Sequence, residues 1–247
     1  MSAASIQPMK IRDPSADLLC DEREIFDALL PFEGAVVLEL GCGRAEKTRA
    51  IANAGKVAAI TAVEVDRIQL AENLRITDLP KVTFALGGAE AIPAPDRTFD
   101  IVMMFKSLHH VPVDKMDQAL AEIRRVLKPG GLAYFSEPVF AGEYNEIMRL
   151  FHDEEAVREA AFASIARAVA GGVFELVAEK FFASENRFES FEHFDQRVLQ
   201  VTHSDHRLSS ELYETVRRKF MAHLGPQGAR FRQPMRVDLL RRPSADA

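Results

Sequence analysis

Carboxylates flank a glycine-rich turn in the first third of the chain. In the segment VLELGCGRAEKTRAIA, Glu39 precedes Gly41 by two residues and Glu46 follows Gly43 by three. Glycine has no Cβ, so a ligand can come close to the backbone at such a turn. A helix that follows offers unpaired N–H groups and the positive end of its dipole. Two carboxylates beside the turn disfavour a bound pyrophosphate, so the pattern indicates a nucleotide-like ligand that carries positive charge.

A third carboxylate, Glu64, follows the next apolar segment, 21 positions after Gly43. An acidic residue at that distance, at the end of a second strand, can accept hydrogen bonds from both hydroxyls of a ribose. Glu46 stands where the dinucleotide fingerprint G-x-G-x-x-G has its third glycine, so the segment does not fit that motif. Together these residues favour S-adenosylmethionine over NAD and disfavour a dinucleotide oxidoreductase. A solvated position at the strand end is the alternative for Glu64.

Alternating strands and helices must position this turn. Near-continuous apolar runs, typical of parallel strands covered on both faces, predict strands at residues 35–40, 57–65, 82–86, 100–105 and 132–137. Helical spacing predicts helices at residues 17–30, 67–75 and 114–127, and one from the glycine turn to residue 54. This rhythm predicts a Rossmann-like α/β fold with a doubly wound, mostly parallel sheet. Ligands bind such sheets at the carboxyl ends of the strands, where the glycine turn lies.

The rhythm changes after Pro138. Residues 140–170 have a helical pattern, and further helices are predicted near 191–201 and 209–224. Strands at 177–188 and 230–242 are expected to pair at the sheet's edge, the last as a C-terminal antiparallel edge strand. We therefore predict a single domain with a helical lid insertion. Its parts are an N-terminal helical cap at 1–33, a cofactor-binding core at 34–138, and a lid and sheet-completing part at 139–247.

The composition of the 247 residues, 47% hydrophobic and 28% charged, is that of an ordinary soluble protein. The net charge of −6 argues against a nucleic-acid backbone as partner, since that normally requires a basic face. The two cysteines, Cys20 and Cys42, are too few for a disulfide scaffold or a cysteine-based zinc site. The first residues lack the apolar core of a signal peptide, and no apolar run reaches 18 residues. We expect a cytoplasmic protein without membrane insertion, and the oligomeric state stays open.

The motifs as far as residue 138 resemble those of class I S-adenosylmethionine-dependent methyltransferases. The likeness is carried, in the same order and spacing, by ELGCG at 39–43, Glu64, GGAEAIPAPDRTFDIV at 87–102, SLHHVP at 107–112 and IRRVLKPGG at 123–131. It is strongest to the branch that includes ubiquinone and menaquinone C-methyltransferases. The resemblance implies S-adenosylmethionine as cofactor and methyl transfer to O, N, C or S of a small-molecule acceptor.

The resemblance also implies cofactor contacts. The methionine part would be bordered by Glu39, Gly41 and Gly43, the ribose held by Glu64, and the adenine flanked by Val65, Gly88, Ala89 and Glu90. Phe105 and Lys106 would pass beside the reactive sulfur. Related enzymes commonly have at position 88 an aspartate that accepts from the adenine amino group, and here Glu90 or water could replace it. Because of Gly88, a non-methylating enzyme and a catalytically silent S-adenosylmethionine-binding protein remain alternatives.

Methyl transfer from a sulfonium is an in-line displacement, so much of its acceleration can come from orientation in a dry site. A general base is needed only where the acceptor loses a proton. The catalytic candidates are His109, His110 and Glu137, with Tyr144 and His152 as further candidates by position. Packing or hydrogen bonding within a loop is the alternative for the first three.

THSDH at residues 202–206 has imidazole and carboxylate groups that could bind a transition metal. Because these groups are so close in sequence, just before a predicted helix, we expect a capping loop there and no metal site. The chain has no N-P-P-[YF] segment after the fourth strand and no Pro-Cys nucleophile, which are motifs of DNA methyltransferases. The expected partner is therefore a small organic acceptor and not a nucleic acid.

Overall fold

The computed structural model describes residues 8–200 and 208–244. Its strands are β1 (Val36–Leu40), β2 (Ala59–Glu64), β3 (Val82–Leu86), β4 (Phe99–Phe105), β5 (Leu127–Pro138), β6 (Glu175–Phe188) and β7 (Ala229–Arg241). Its α-helices are α1 (Glu22–Leu29), α2 (Glu46–Asn53), α3 (Arg67–Asn73), α4 (Met116–Val126), α5 (Glu143–Met148), α6 (Glu155–Ala170), α7 (Phe191–Phe194) and α8 (Ser210–Met221). Short 3-10 segments span Leu108–His110 and Val113–Lys115, and a π-helix spans Asp195–Leu199.

The strands form one seven-stranded sheet with the order β3-β2-β1-β4-β5-β7-β6. β1 pairs in parallel with β2 and β4, as do β2 with β3 and β4 with β5. β7 runs antiparallel to both β5 and β6. The predicted doubly wound, mostly parallel sheet and the pairing of the last two strands are confirmed. β7 is antiparallel, as predicted, but it is not the edge strand. It lies between β5 and β6 and is hydrogen-bonded on both sides, so β6 is outermost.

Successive strand residues point to opposite faces of the sheet and build two apolar layers. On one face, Leu38 of β1 lies in a buried cluster with Leu120 of α4 and Ile165 of α6. On the other face, Val37 lies in a second cluster with Phe26 of α1. Burying one such side chain contributes about 1.5–3 kcal/mol. The two layers therefore fix the sheet and hold the carboxyl ends of β1, β2 and β4 at one edge.

The helical pattern at residues 140–170 belongs to two helices, so the prediction of one continuous helix is wrong. α5 and α6 are separated by a segment that includes His152 and Glu154. Glu154 is the N-cap residue of α6, and its backbone is not helical. Both helices bury one face, so apolar spacing continues across the break and does not reveal it. The helix predicted near 191–201 is likewise divided, into α7 and the π-helix.

A third apolar cluster joins α5, α7 and α8 to the ends of β6 and β7. Its centre is made of phenylalanine rings, with centroids 5.2 Å apart for Phe188 and Phe194 and 4.9 Å apart for Phe194 and Phe220. These rings are core residues of the C-terminal part. Among residues 8–200 and 208–244, no helix has both the length and the apolar character needed to cross a membrane.

Candidate functional site

The glycine turn connects β1 to α2 and is held by backbone hydrogen bonds. The N–H groups of Gly41 and Cys42 both donate to the carbonyl of Val63, at 2.9 and 3.1 Å. Gly41 has φ +71°, and a Cβ there would lie 2.8 Å from Cβ of Ser107. Gly43 has φ +50°, and no described atom lies within 4 Å of the place of its Cβ. Ser107 therefore requires a glycine at position 41, while the open side of Gly43 leaves room for a ligand.

Glu64 is the last residue of β2, and its carboxylate contacts the backbone of the glycine turn. It is 7% exposed and accepts hydrogen bonds from the N–H groups of Gly43, Val65 and Asp66 at 2.7, 2.8 and 3.0 Å. The alternative of a solvated residue is therefore wrong. A carboxylate offers about four lone-pair positions. Glu64 can accept one ribose hydroxyl as it stands, and a second hydroxyl requires that one backbone bond be exchanged.

Glu39 is buried beneath the turn, with 2% of its surface exposed. Thr48 Oγ1 of α2 donates to its carboxylate at 2.6 Å. Burial raises the pKa of Glu39 to about 7, against the opposing effects of the Thr48 hydrogen bond and the Lys47 ammonium. A second cation close to Glu39 would therefore shift it to the ionised form near neutral pH. Glu46, on the other side of the turn, is exposed in the first turn of α2.

Val65 and the segment Gly88–Glu90 lie at the neighbouring strand ends. Val65 is 64% exposed and presents apolar surface beside Glu64, whereas Ala89 is buried. A Cβ at Gly88 would lie 2.5 Å from Oε2 of Glu90. The carboxylate of Glu90 thus fills the space that a side chain at position 88 would take.

Phe105 and Lys106, at the end of β4, point in different directions. The ring of Phe105 is half-buried and packs against Phe26 and Tyr134, with centroids 5.7 and 5.5 Å apart. Lys106 has φ +52° and lines a cavity on the other side. The surrounding protein removes much of the hydration of its ammonium and so lowers its pKa, although the side chain keeps access to solvent.

His109 and Glu137 form a buried pair at the ends of β4 and β5. One oxygen of Glu137 accepts from the backbone N–H of Leu108 at 2.9 Å, and the other forms a short hydrogen bond with Nδ1 of His109. Nε2 of His109 lies 3.5 Å from Oε1 of Glu154. Burial acts to lower the pKa of His109, but the two carboxylates outweigh it and raise the pKa to about 9. At neutral pH His109 is therefore protonated and hydrogen-bonded to Glu137, so it cannot accept a further proton.

His110 has the opposite electrostatics. Its ring lies beside that of His109, with centroids 4.2 Å apart, and is exposed on the cavity side. Loss of hydration and the positive charge of His109 lower the pKa of His110 to about 4. Of the two histidines, only His110 has a nitrogen lone pair available at neutral pH.

Glu154 connects this pair to the segment between α5 and α6. Its Oε1 accepts from Nε2 of His152 at 2.8 Å, and its Oε2 accepts from Arg158 at 2.6 Å. Arg158 also donates to Oδ1 of Asn145 at 3.1 Å. Burial acts to raise the pKa of Glu154, but the hydrogen bond and charge of His109, together with Arg158, hold it well below its usual range.

A cavity of about 290 Å³ adjoins this network. It is lined by Lys106, His109, His110, Pro138, Tyr144, Asn145, Met148, His152, Glu154, Arg158, Asn186, Arg197, Val198 and Gln233. A neighbouring cavity of about 400 Å³ shares several of these residues. The lining combines basic groups with a few apolar ones, so it suits a small molecule with polar or anionic parts.

The structure brings His109, His110, Tyr144 and His152 to one cavity wall, with Glu137 buried against His109, and it brings Glu39 and Glu64 to the glycine turn. Sequence reasoning missed Glu154, Asn145, Arg158 and Arg197 at the cavity. Glu154 and Arg158 are four residues apart, a spacing that an ordinary surface pair on a helix also has. Thr202–His206 lies outside the described residues.

Comparisons with known proteins agree with the fold. Residues 37–131 match the family model described as a methyltransferase domain. The chain is 31% identical over 105 residues to a fatty-acid O-methyltransferase of Mycolicibacterium smegmatis, covering 42% of this chain and 38% of that protein. It is 31% identical over 142 residues to the ubiquinone/menaquinone biosynthesis C-methyltransferase UbiE of Hydrogenovibrio crunogenus, covering 50% and 55%. The chain thus spans about half the length of these relatives, or less.

A solved structure of a candidate methyltransferase from Bacillus halodurans C-125 aligns with a TM-score of 0.61 at 19% identity, covering 90% of this chain and 99% of that one. At this identity the likeness shows the fold alone. Together with the match of residues 37–131, it confirms the resemblance found in the sequence. The similarity to methyltransferases therefore covers residues 37–131 in sequence and most of the chain in fold.

Proposed function

We propose that this protein binds S-adenosylmethionine at the glycine turn and transfers its methyl group to a small organic molecule held in the adjoining cavity. The observation that carries the proposal is the pair of buried carboxylates, Glu39 and Glu64, at the carboxyl ends of adjacent parallel strands. Glu39 has only the Thr48 hydroxyl as a hydrogen-bond donor, and the cationic methionine part of the cofactor would give its carboxylate a charged partner. Glu64 already accepts from three backbone N–H groups and keeps a lone pair for a ribose hydroxyl.

The methionine part of the cofactor carries an ammonium and a carboxylate. Glu39 supports the ammonium because an adjacent cation stabilises its ionised form. The carboxylate has a place at the first turn of α2, where no described side chain caps the N–H groups that follow Ala45. The open side of Gly43 gives the ligand its approach to this turn.

The adenosine part extends along the neighbouring strand ends. Glu64 accepts from the ribose, and the exposed side chain of Val65 packs against the adenine. Glu90 takes over the hydrogen bond from the adenine amino group, because its carboxylate occupies the space above Gly88. Glu90 then takes the role that an aspartate at position 88 commonly has in related enzymes.

The acceptor lies in the cavity beyond Lys106, with its reacting atom in line with the methyl–sulfur bond. Bound S-adenosylmethionine would supply a methyl group whose bond to sulfur breaks with its electron pair left on sulfur, while an electron pair of the acceptor atom would form the new bond to carbon. His109 and Glu137 act as positioning residues, since each satisfies the other in a buried pair. His110 is the one of the three candidates that faces the cavity as a neutral group, so it contacts the acceptor or receives its proton.

A transfer assay tests the proposal. The protein is incubated with S-adenosylmethionine labelled in the methyl carbon and with a panel of small acceptors, and products are identified by mass spectrometry. The panel includes fatty acids and quinone precursors, because the matched relatives are named for fatty-acid and ubiquinone or menaquinone methylation. We expect a labelled product and S-adenosylhomocysteine in equal amounts.

Binding measurements separate the alternatives. Stabilisation of the protein by NAD and not by adenosyl ligands would overturn the proposal. Binding of S-adenosylmethionine with no transfer to any acceptor would favour a silent or non-methylating protein on the same fold. Mass spectrometry of the purified protein for a co-purified adenosyl ligand and acceptor gives an independent check.

A further inference from the structure

We infer that His109, His110 and Glu154 form a binding site for one divalent transition-metal ion. Each of them offers one ligand atom, and these atoms lie within 4.8 Å of one another. The sequence alone gives no reason to expect a metal here, because Glu154 comes from a distant segment. A bound ion would exclude His110 as a proton acceptor in the proposed methyl transfer and would leave its place beside the acceptor unchanged.

Two separate segments bring the ligand atoms together. The 3-10 segment Leu108–His110 follows β4 and presents two imidazoles in succession, and Glu154 lies in the break between α5 and α6. Nε2 of His109 lies 3.5 Å from Oε1 of Glu154. With metal–ligand bonds of about 2.0–2.1 Å in a tetrahedral site, two ligand atoms stand about 3.3–3.4 Å apart. The observed separation therefore already fits a shared ion.

The outer partners orient the ligands. Glu137 binds Nδ1 of His109, which leaves Nε2 as the ligand atom, the carboxylate–histidine–metal arrangement common in metalloproteins. Arg158 binds Oε2 of Glu154 and leaves Oε1 directed at the imidazoles. Nε2 of His152 lies 2.8 Å from the same Oε1 and fixes its direction further.

A metal ion would replace a proton between two of the ligand atoms. Nδ1 of His109 is bound to Glu137, and Nε2 of His109 faces Oε1 of Glu154 in a buried place. In the metal-free protein the proton on Nε2 lies in this contact, and a divalent ion would take its place and release it. The proton needs only these two groups, whereas an ion would also use His110.

His110 completes the site from the cavity side. Its ring is exposed, and its ligand atom lies within 4.8 Å of those of His109 and Glu154, so a side-chain rotation can bring it to a shared ion. The fourth position then faces the cavity and is open to water or to an acceptor oxygen. Imidazole and carboxylate ligands suit zinc, cobalt, nickel, iron and manganese. A bound ion takes the lone pair of His110, so the metal-bound protein does not use it as a proton acceptor.

Metal binding is measured on the full chain after treatment with EDTA. Calorimetric titration with Zn²⁺ gives the stoichiometry, and Co²⁺ gives visible absorption bands that report a tetrahedral site. We expect one ion per wild-type chain. His110→Ala should lower the affinity more than about tenfold and abolish the cobalt bands, and Glu137→Gln should lower the affinity about 10- to 100-fold. Because His110 is exposed, His110→Ala is compatible with folding.

The double variant His203→Ala/His206→Ala is the matched control, because these histidines belong to the THSDH segment. It should bind one ion with unchanged affinity. Wild-type protein that binds no stoichiometric ion would overturn the inference. Loss of binding in the control together with retention in His110→Ala would also overturn it, and would assign the ion to the THSDH segment.

Discussion

The buried carboxylate of Glu39 predicts that the affinity for S-adenosylmethionine depends on pH. Burial raises the pKa of this group to about 7 in the protein without ligand. If the ionised form binds the cofactor's ammonium, about one tenth of the protein is competent at pH 6 and about nine tenths at pH 8. The dissociation constant should therefore fall about tenfold from pH 6 to pH 8, which corresponds to about 1.4 kcal/mol.

Calorimetric titration at pH 6, 7 and 8 measures this dependence. Below pH 7 binding should release a proton, which is detected by repeating the titration in buffers of different ionisation enthalpy. Glu39→Gln should weaken binding at pH 8 and remove most of the slope. Glu46→Gln is the matched control, because Glu46 flanks the same turn but is exposed. A flat profile for the wild type, or an unchanged slope in Glu39→Gln, would refute the reasoning.

The same pKa shift has a consequence for stability with the opposite direction in pH. The pKa of Glu39 is 4.5 as an ordinary glutamate and about 7 in the folded protein, so the fold prefers the neutral form. Its stability is then greatest below about pH 4.5 and declines as pH rises to 7, by about 2–4 kcal/mol. At pH 8, Glu39→Gln should therefore unfold at a higher urea concentration than the wild type, with a free energy of unfolding greater by about 1–3 kcal/mol. At pH 5 the two proteins should differ little. A destabilised variant at pH 8 would contradict the assignment of burial as the cause.

Three further substitutions test the packing of the glycine turn, the contact with the adenine and the buried pair of His109 and Glu137. Gly41→Ala should lower the free energy of unfolding in urea by about 2 kcal/mol or more, because strain at positive φ adds to the collision with Ser107. Gly55→Ala is the control, since Gly55 has φ +76° but no described atom within 4 Å of its Cβ position, and it should lower this free energy by only about 1–2 kcal/mol. Equal costs would remove the collision from the explanation. Glu90→Ala should weaken S-adenosylmethionine binding about tenfold or more by calorimetry, since the adenine amino group loses its acceptor; unchanged affinity would exclude Glu90 from the site. Glu137→Ala should lower the free energy of unfolding by about 3–5 kcal/mol, because it leaves His109 buried without its main partner. A loss below about 1 kcal/mol would show that the pair does not stabilise the fold.

The sequence predicts the part of the structure that local patterns determine. Apolar runs gave β1 to β4 within about two residues, whereas β5 begins at Leu127, ahead of the predicted start at residue 132. The position of Glu64 after the second run placed it beside the glycine turn. Each of these features depends on neighbours in sequence or on the general rule for parallel sheets. The same patterns could not predict the place of β7 between β5 and β6, because they do not determine which of the last two strands pairs with β5.

The cavity wall illustrates what local patterns miss. Glu154 meets His109 across 45 positions of the chain, and the break before α6 that makes this possible has no apolar signature. The different electrostatics of His109 and His110 also arise from such distant groups, since the two residues are adjacent in sequence. For Glu64 the type and position were predictable, but its three backbone hydrogen bonds were not.

Calorimetric titration of S-adenosylmethionine into the wild type and Glu64→Ala, with NAD as competitor, tests the central claim most directly. The glycine turn predicts one cofactor per chain, displaced by S-adenosylhomocysteine and not by NAD, with most of the affinity lost in Glu64→Ala. Circular dichroism of the variant separates loss of the site from loss of the fold. An unchanged dissociation constant in a folded Glu64→Ala, or binding of NAD in place of S-adenosylmethionine, would contradict the account.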